Sequence, residues 1–413
     1  MKISKTKTVA ILILASMLLV SSWAYAESTS KAKTLIIGQV LPLSGGAALW
    51  GQQSALMGKL ACEMWNKAGG VTINGQKYIY DTITCDSGFT AKGGNACAQK
   101  LVYQDKVHFM NSFGSTVTNA VGEFTEAQKI LTLGPFWSKV AENGDYTFRL
   151  ISTPDQTDSA AIAFFRKKHP DAKRIAMLGL NDMAGVTSME LDKKIWLAEG
   201  CDIVFFDYYE RDATEFYPIV TRMLATKPDI IQGLSPRPGQ WGVIIKTINE
   251  LGYDGIIAGL DDPKTDIETS GEFRAEGVYG YGGYTFYDPV LPTWSNYVDK
   301  ICQEKTGKPL AFSPAGCWEA IACLHEALFR AQSLDPDVLV KTMKADDFCW
   351  YSLYGRAAFG GQKRVSIMVP TLIGQAQDGK YVQLEKVESE ECRQRLSSCR
   401  GPLANYPDIF KSK

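Results

Sequence analysis

The sequence predicts an α/β protein built from two doubly wound, Rossmann-like lobes, and three observations carry that expectation. From residue 34 to residue 133, short apolar runs alternate with helix-like stretches in the order βαβαβα, the pattern of a parallel sheet with helices on its faces. After an extended crossing at 148–154 the same alternation begins again. The chain also has 413 residues, more than a single core usually holds, so two domains are expected.

Residues 1–26 stand apart. Lys2, Lys5 and Lys7 precede an apolar run at 9–20, and Ala24-Tyr25-Ala26 supplies a small-x-small cleavage site. This reads as an export signal removed after Ala26. A membrane anchor is the alternative, but the run has about a dozen residues against the roughly 20 that a spanning helix needs. No lipid-accepting Cys follows the cleavage point, and the exported chain is expected in the periplasm.

After a polar linker at 27–33, the run 34–40 reads as a buried strand that ends in Pro42-Leu43-Ser44-Gly45-Gly46. A helix is expected over 48–66, with Leu49, Leu56, Leu60 and Met64 as its apolar stripe and Gly69-Gly70 as its stop. Residues 71–76 contain the turn Asn74-Gly75, and 77–84 alternate as a strand should. A helix over 90–104 then leads to two apolar runs, 107–111 and 130–133, on either side of one more helix. In a parallel sheet ligands bind beyond the carboxyl ends of the strands. Both runs reach that edge in hydroxyl residues, Ser115 and Thr118 in one case and Ser138 in the other. A helix opening at Ser115 or Thr116 aims unpaired N–H groups and the positive end of its dipole into the crevice, a socket for a carboxylate. Ser115 reads equally well as a plain N-cap.

The second series comprises helix 156–168, strand 174–180, helix 186–199, strand 202–207, helix 213–225, strand 229–233, helix 240–251 and strand 255–259. Another extended crossing at 280–284 precedes helices over 292–306, 314–331 and 336–344, which are expected to return and cover the first sheet. The N-terminal lobe is therefore assigned to 27–152 with 281–355. The C-terminal lobe takes 153–280 with 356–387, and 388–413 form a C-terminal extension.

Lys+Arg of 44 against Asp+Glu of 45 leaves a net charge of −1, and no run of five basic residues occurs, so neither nucleic acid nor an acidic membrane is an expected partner. Ten cysteines suit an oxidising compartment, with connectivity left open. Cys392 and Cys399 lie about 10 Å apart along a regular helix, and Cys317 and Cys323 about 9 Å. Both separations exceed the roughly 7 Å that a disulfide spans. No Cys-x-x-Cys is present and the three His are isolated, so neither a metal nor a cofactor is expected. No Gly-x-Ser-x-Gly elbow occurs. His108 lies in a strand, His169 at a helix end before Pro170 and His325 in mid-helix. The pairs Asp261-Asp262 and Asp346-Asp347 suit turns. Nothing here forms a catalytic set, and the chain is not expected to be an enzyme.

Four stretches carry a resemblance when taken in order. They are residues 37–45 with Trp50-Gly51, Gly69-Gly70 through Asn74-Gly75 to Asp86, the unit 111–138, and Thr214-Glu215-Phe216-Tyr217-Pro218 through Lys227-Pro228-Asp229. The chain resembles a type I periplasmic solute-binding protein of the leucine/isoleucine/valine-binding family, the exported component of ABC importers. That resemblance implies two lobes joined by three crossover segments and closing on a small ligand. It implies that Ser115, with Thr116 beside it, and Ser138 hold a carboxylate, that Phe136 offers backbone polar groups, and that Trp50 covers the ligand. Asp261 matches the partner of an α-ammonium, or else caps the helix before Pro263, and a cleft tyrosine of the family falls near Ser235 to Arg237. Some residues depart from the pattern. Ala184 stands where a second-lobe aromatic is expected, and Phe136-Trp137 replace small residues. Arg237 either presents a fork to a carboxylate or is simply solvated. The implied function is capture of a small carboxylate, foremost a branched-chain or aromatic amino acid, by a monomer that delivers it to a membrane permease. The alternatives are an aromatic or other small carboxylate or amide, and a sensing subunit for a membrane receptor.

Overall fold

The computed structural model describes residues 31–234, 239–260, 263–282 and 292–399. Residues 1–26, expected to be an export signal, and the positions Ser235, Arg237 and Asp261 lie outside the described residues.

The first lobe opens with β1 (Lys33–Leu41), whose last five residues are all buried. It is followed by α1 (Ala48–Lys67), β2 (Val71–Ile73), β3 (Gln76–Asp86), α2 (Ala91–Tyr103), β4 (Phe109–Ser112), α3 (Ser115–Ala127), β5 (Thr132–Gly134), α4 (Val140–Asn143) and β6 (Thr147–Arg149). β1 pairs in parallel with β3 and β4, Ile37 lying opposite Thr82 on one side and Phe109 on the other. A strand covered on both faces is apolar throughout, which is why this run showed no alternation in the sequence. The second lobe follows with α5 (Pro154–Lys168), β7 (Arg174–Leu180), α6 (Met183–Ala198), β8 (Asp202–Tyr209), α7 (Tyr217–Ala225), β9 (Ile230–Leu234), α8 (Gln240–Glu250), β10 (Ile256–Leu260), α9 (Pro263–Ser270) and β11 (Tyr279–Gly282). The helices α10 (Thr293–Thr306), α11 (Phe312–Ala331) and α12 (Pro336–Met343) pack into the first-lobe core through Trp294, Val298, Trp318 and Leu339. Trp318 lies 5.1 Å from Trp65, ring to ring, and α11 is buried along nearly its whole length.

The remaining strands are β12 (Cys349–Ser352), β13 (Gly355–Gly360), β14 (Ser366–Met368), β15 (Thr371–Gln377) and β16 (Lys380–Val387), and α13 (Glu390–Ser397) closes the described chain. Two sheets result. The nine-stranded sheet runs β12-β13-β14-β6-β5-β4-β1-β3-β2, and the seven-stranded sheet runs β16-β15-β11-β10-β9-β7-β8.

Two lobe assignments differ from the sequence reading. Residues 356–368 belong to the first sheet rather than the second, because β13 folds back on β12 as a hairpin and the Arg149 N–H donates to Val365 O at 2.7 Å, continuing the first sheet into β14. The chain passes to the second lobe only at 369–370. The C-terminal segment is also not a free extension over its described part. After β16, α13 returns to the first lobe, where the Gly361 N–H donates to Glu391 Oε1 at 2.7 Å and Arg395 Nε donates to Phe359 O at 2.7 Å.

One disulfide, Cys85–Cys97, ties the end of β3 to α2. Neither Cys392 with Cys399 nor Cys317 with Cys323 is bridged. Among the described residues no helix is long and apolar enough to cross a membrane.

Candidate ligand-binding cleft

The tips of β4 and β5 meet α3 at a tight corner. Gly114 precedes α3 with φ +84°, and a Cβ there would stand 2.4 Å from the Phe89 ring, so glycine is required on both counts. The Gly114 N–H donates to Pro135 O at 2.9 Å, and the first intrahelical bond runs from the Thr118 N–H to Gly114 O at 2.8 Å. The N–H groups of Ser115, Thr116 and Val117 therefore precede the helical ladder and point out of its positive end. Thr118, which the sequence grouped with Ser115, is turned inward and bonds Ser112 Oγ at 2.8 Å.

Ser115 is buried, and its Oγ accepts from the Trp137 N–H at 2.9 Å. One lone pair is used, while the hydroxyl proton remains to be given away. Trp137 is fixed in turn, because its indole N–H donates to Ser152 O at 3.0 Å. These residues border a cavity whose first-lobe wall is made by Trp50, Phe89, Phe113, Ser115, Thr116, Pro135, Phe136, Trp137, Ile151 and Ser313. The second lobe closes it with Leu180, Asp182 and Ala184. Phe113 is the centre of an aromatic group, 6.1 Å from Trp50 and 6.2 Å from Phe89.

Six residues singled out from sequence thus share one cavity: Trp50, Ser115, Thr116, Phe136, Trp137 and Ala184. Ser138 is not among the bordering residues. It is buried, its Oγ has no hydrogen-bond partner among the described residues, and its carbonyl accepts from Arg149 Nη2 at 2.6 Å. That arginine organises the β5 loop from behind. It forms a two-pronged pair with Glu142 at 2.8 and 3.0 Å, donates to Ser366 Oγ at 2.6 Å, and lies 5.5 Å from the Phe136 ring centre.

Sequence reasoning missed Phe89, Phe113, Asp182 and Arg211. Asp182 caps α6 by accepting from the Gly185 N–H at 2.8 Å through Oδ1, and its other oxygen pairs with Arg211 Nη2. The Arg211 guanidinium lies 4.6 Å from the centre of the Phe89 ring, so a cation of the second lobe stacks on an aromatic wall of the first. The Asn181-Asp182 strand end carried a capping signal, but nothing local joins 89, 182 and 211.

None of the three histidines faces this cavity. His108 Nδ1 accepts from the Ile36 N–H, and burial lowers its pKa. His169 is lowered by burial with Lys168 adding to the effect, and its ring bonds Tyr279. His325 bonds Tyr80. Among the described residues, no group of three or more His, Cys, Asp or Glu is placed to hold a metal ion.

A doubly wound pair of lobes with an anion-directed helix start in the cleft defines a bilobal solute-binding protein. Residues 34–380 match the family model for the periplasmic binding proteins, and the chain belongs to that family. It is 26% identical over 250 residues to an amino acid binding protein of Pseudomonas aeruginosa, covering 58% of this chain and spanning 63% of that relative's length. It is 24% identical over 351 residues to a Leu/Ile/Val-binding protein, BraC3, of Rhizobium johnstonii, covering 83% of this chain and 91% of the relative. Its fold matches the crystal structure of an ABC-transporter solute-binding protein from Rhodopseudomonas palustris BisB5, solved with 3,4-dihydroxybenzoic acid, at a TM-score of 0.73 and 23% identity over 86% of this chain and 97% of that one.

Proposed function

We propose that this protein is the exported solute-capturing component of an ABC importer, that it takes up a small carboxylate with a flat apolar body in the periplasm, and that it presents its closed form to the membrane permease. The observation that carries the reading is Ser115. A free hydroxyl proton on Ser115 and the first N–H groups of α3, at Ser115 and Thr116, border a cavity whose first-lobe wall is largely aromatic. The carboxylate docks on Ser115 and the start of α3, and Trp50, Phe113 and Phe136 enclose the body. Leu180 and Ala184 complete the cage. Because the ligand touches both walls only when the lobes are together, its differential affinity drives closure. The proposal assigns binding and no chemical step to the site.

Aromatic acids are the foremost ligands under this reading. Asp182 already caps α6 through one oxygen and has its charge paired with Arg211 through the other, so it offers a weakened counter-charge to an α-ammonium. The dihydroxybenzoate-bound structural neighbour supports the same class. A second reading, an apolar amino acid, is favoured by the names of the two relatives.

A thermal-shift panel of benzoate, hydroxybenzoates, leucine, isoleucine and phenylalanine separates them. A ligand at a thousand times its dissociation constant stabilises by about 4 kcal/mol. Large shifts with the aromatic acids are expected. Shifts with the amino acids alone would install the second reading, and no shift with any carboxylate would remove both.

A further inference from the structure

The C-terminal helix α13 leaves β16 of the second lobe after two residues and is fastened to the first. Arg395 anchors its last turn over the start of β12, with Nε on Phe359 O at 2.7 Å, Nη2 on Ala345 O at 3.2 Å and Nη1 on Asp346 Oδ1 at 3.0 Å. Cys349 opens β12, at the edge of the sheet and opposite Ala358. Arg356 Nη1 donates to the Cys399 carbonyl at 3.4 Å, and Arg330 Nη2 donates to the Cys349 carbonyl at 3.4 Å. Arg356 faces Tyr351 across the β12–β13 hairpin, so its bond sets Cys399 against the strand that carries Cys349, and the two thiols are hydrogen-bonding neighbours. Of the eight free thiols, Cys399 alone is partly exposed and Cys349 is buried.

We propose that Cys349 and Cys399 form a second disulfide, which pins α13 to the edge of the first sheet and makes residues 388–389 a fourth covalent strap between the lobes. Formation joins the two Sγ atoms and breaks the S–S bond of a disulfide-bearing thiol oxidant of the compartment. Two electrons and both thiol protons pass to that oxidant, which leaves as two thiols. Cys399 is the sulfur an oxidant reaches first. The hydrogen bond between the two raises the Cys399 thiol and lowers that of Cys349, with Arg330 and Arg356 adding to the second effect, so Cys349 is the member of the pair that more readily gives up its proton to attack. The remaining free thiols are all buried. Cys392 sits in the first turn of α13 while Cys399 follows the end of that helix, which sets the two too far apart to be bridged.

The test uses the full exported chain purified from an oxidising compartment, with thiols blocked under denaturing, non-reducing conditions and the protein then mapped with trypsin. Six alkylated cysteines and a cross-linked pair of peptides containing Cys349 and Cys399 are expected, alongside the pair joined through Cys85 and Cys97. Alkylation of both Cys349 and Cys399, or a link from Cys399 to any other cysteine, overturns the assignment. The strap is tested separately on the C349S/C399S double variant by amide hydrogen exchange. Exchange in α13 at least tenfold faster, with α2 unchanged, is expected. Equal rates in the two proteins would remove the strap even if the bond forms.

Discussion

Ser115 receives one hydrogen bond, from the Trp137 N–H, and has one to give. Ser115→Ala is expected to weaken carboxylate binding by about 1–3 kcal/mol, the cost of leaving a charged group without a donor, and to lower the unfolding midpoint through the Trp137 N–H it leaves unpaired. Calorimetry against the best ligand of the panel reads the first quantity, and unchanged affinity would count against the socket. Arg149 acts differently, because it meets Phe136 among the residues that border the cleft and holds the Ser138 carbonyl from behind. Arg149→Leu strands the Glu142 carboxylate in a largely buried setting, and removing one partner of such a pair costs about 3–5 kcal/mol, read as a fall in the urea midpoint. At this scale the sequence was informative wherever a site residue sits beside a strand end. Trp50, Ser115, Phe136 and Trp137 all do, and all border the cavity. It was silent on Phe89 and Arg211, whose contact exists only because two remote loops meet across the lobes. Ser138 shows the limit of strand-end logic. Its carbonyl is drawn back to Arg149, and it is not among the residues that border the cavity.

Helices were legible to within a few residues because their apolar stripes and stops are local. The largest boundary difference is α7, expected from 213 but starting at Tyr217. Pro218 suits the first helical turn and has no N–H to give inside one, so residues before it stay in the loop that carries Arg211. The strands β12 to β16 escaped notice for the opposite reason. They pair in short hairpins or with strands far away in the chain, β15 with β11 and β14 with β6, and neither leaves a periodic signature. Corners obey harder rules. Gly114→Ala places a methyl against Phe89 at a positive φ, which strains the start of α3 and pushes one wall of the cleft. A loss of about 1–3 kcal/mol in stability is expected from overpacking, together with weaker ligand binding. A variant matching the parent in both urea unfolding and calorimetry would show that the corner is slack.

Across the whole molecule, buried acids set the response to pH. Asp158 on α5 and Asp192 on α6 face one another in the second lobe, and burial pushes both carboxyls up, Asp192 further through the charge of Asp158. Asp192 Oδ2 accepts from Gln232 Nε2 at 2.6 Å, and burying two carboxyls so close together favours keeping a proton on the pair. Gln232 also bonds Tyr281 on β11, at the crossing between the lobes. Glu319, wholly buried beneath β12, is likewise pushed up to about 7 by burial. The folded state therefore holds protons that the unfolded chain releases near pH 4. The stability these groups contribute is fully present below that point and is lost as pH rises through neutrality. Asp158→Asn, which mimics the protonated partner, is expected to narrow the drop in melting temperature between pH 5 and pH 8. An identical drop in variant and parent would take the pair out of the account.

The return of α13 to the first lobe has a practical consequence for anyone building a fluorescent reporter from this chain. β1 and α13 ride on the same half, so dyes attached to those two elements would keep their spacing under the proposed gaping and shutting of the jaws. One label must move to the opposite half, for instance the exposed turn at Gly200, before energy transfer can register capture of the solute.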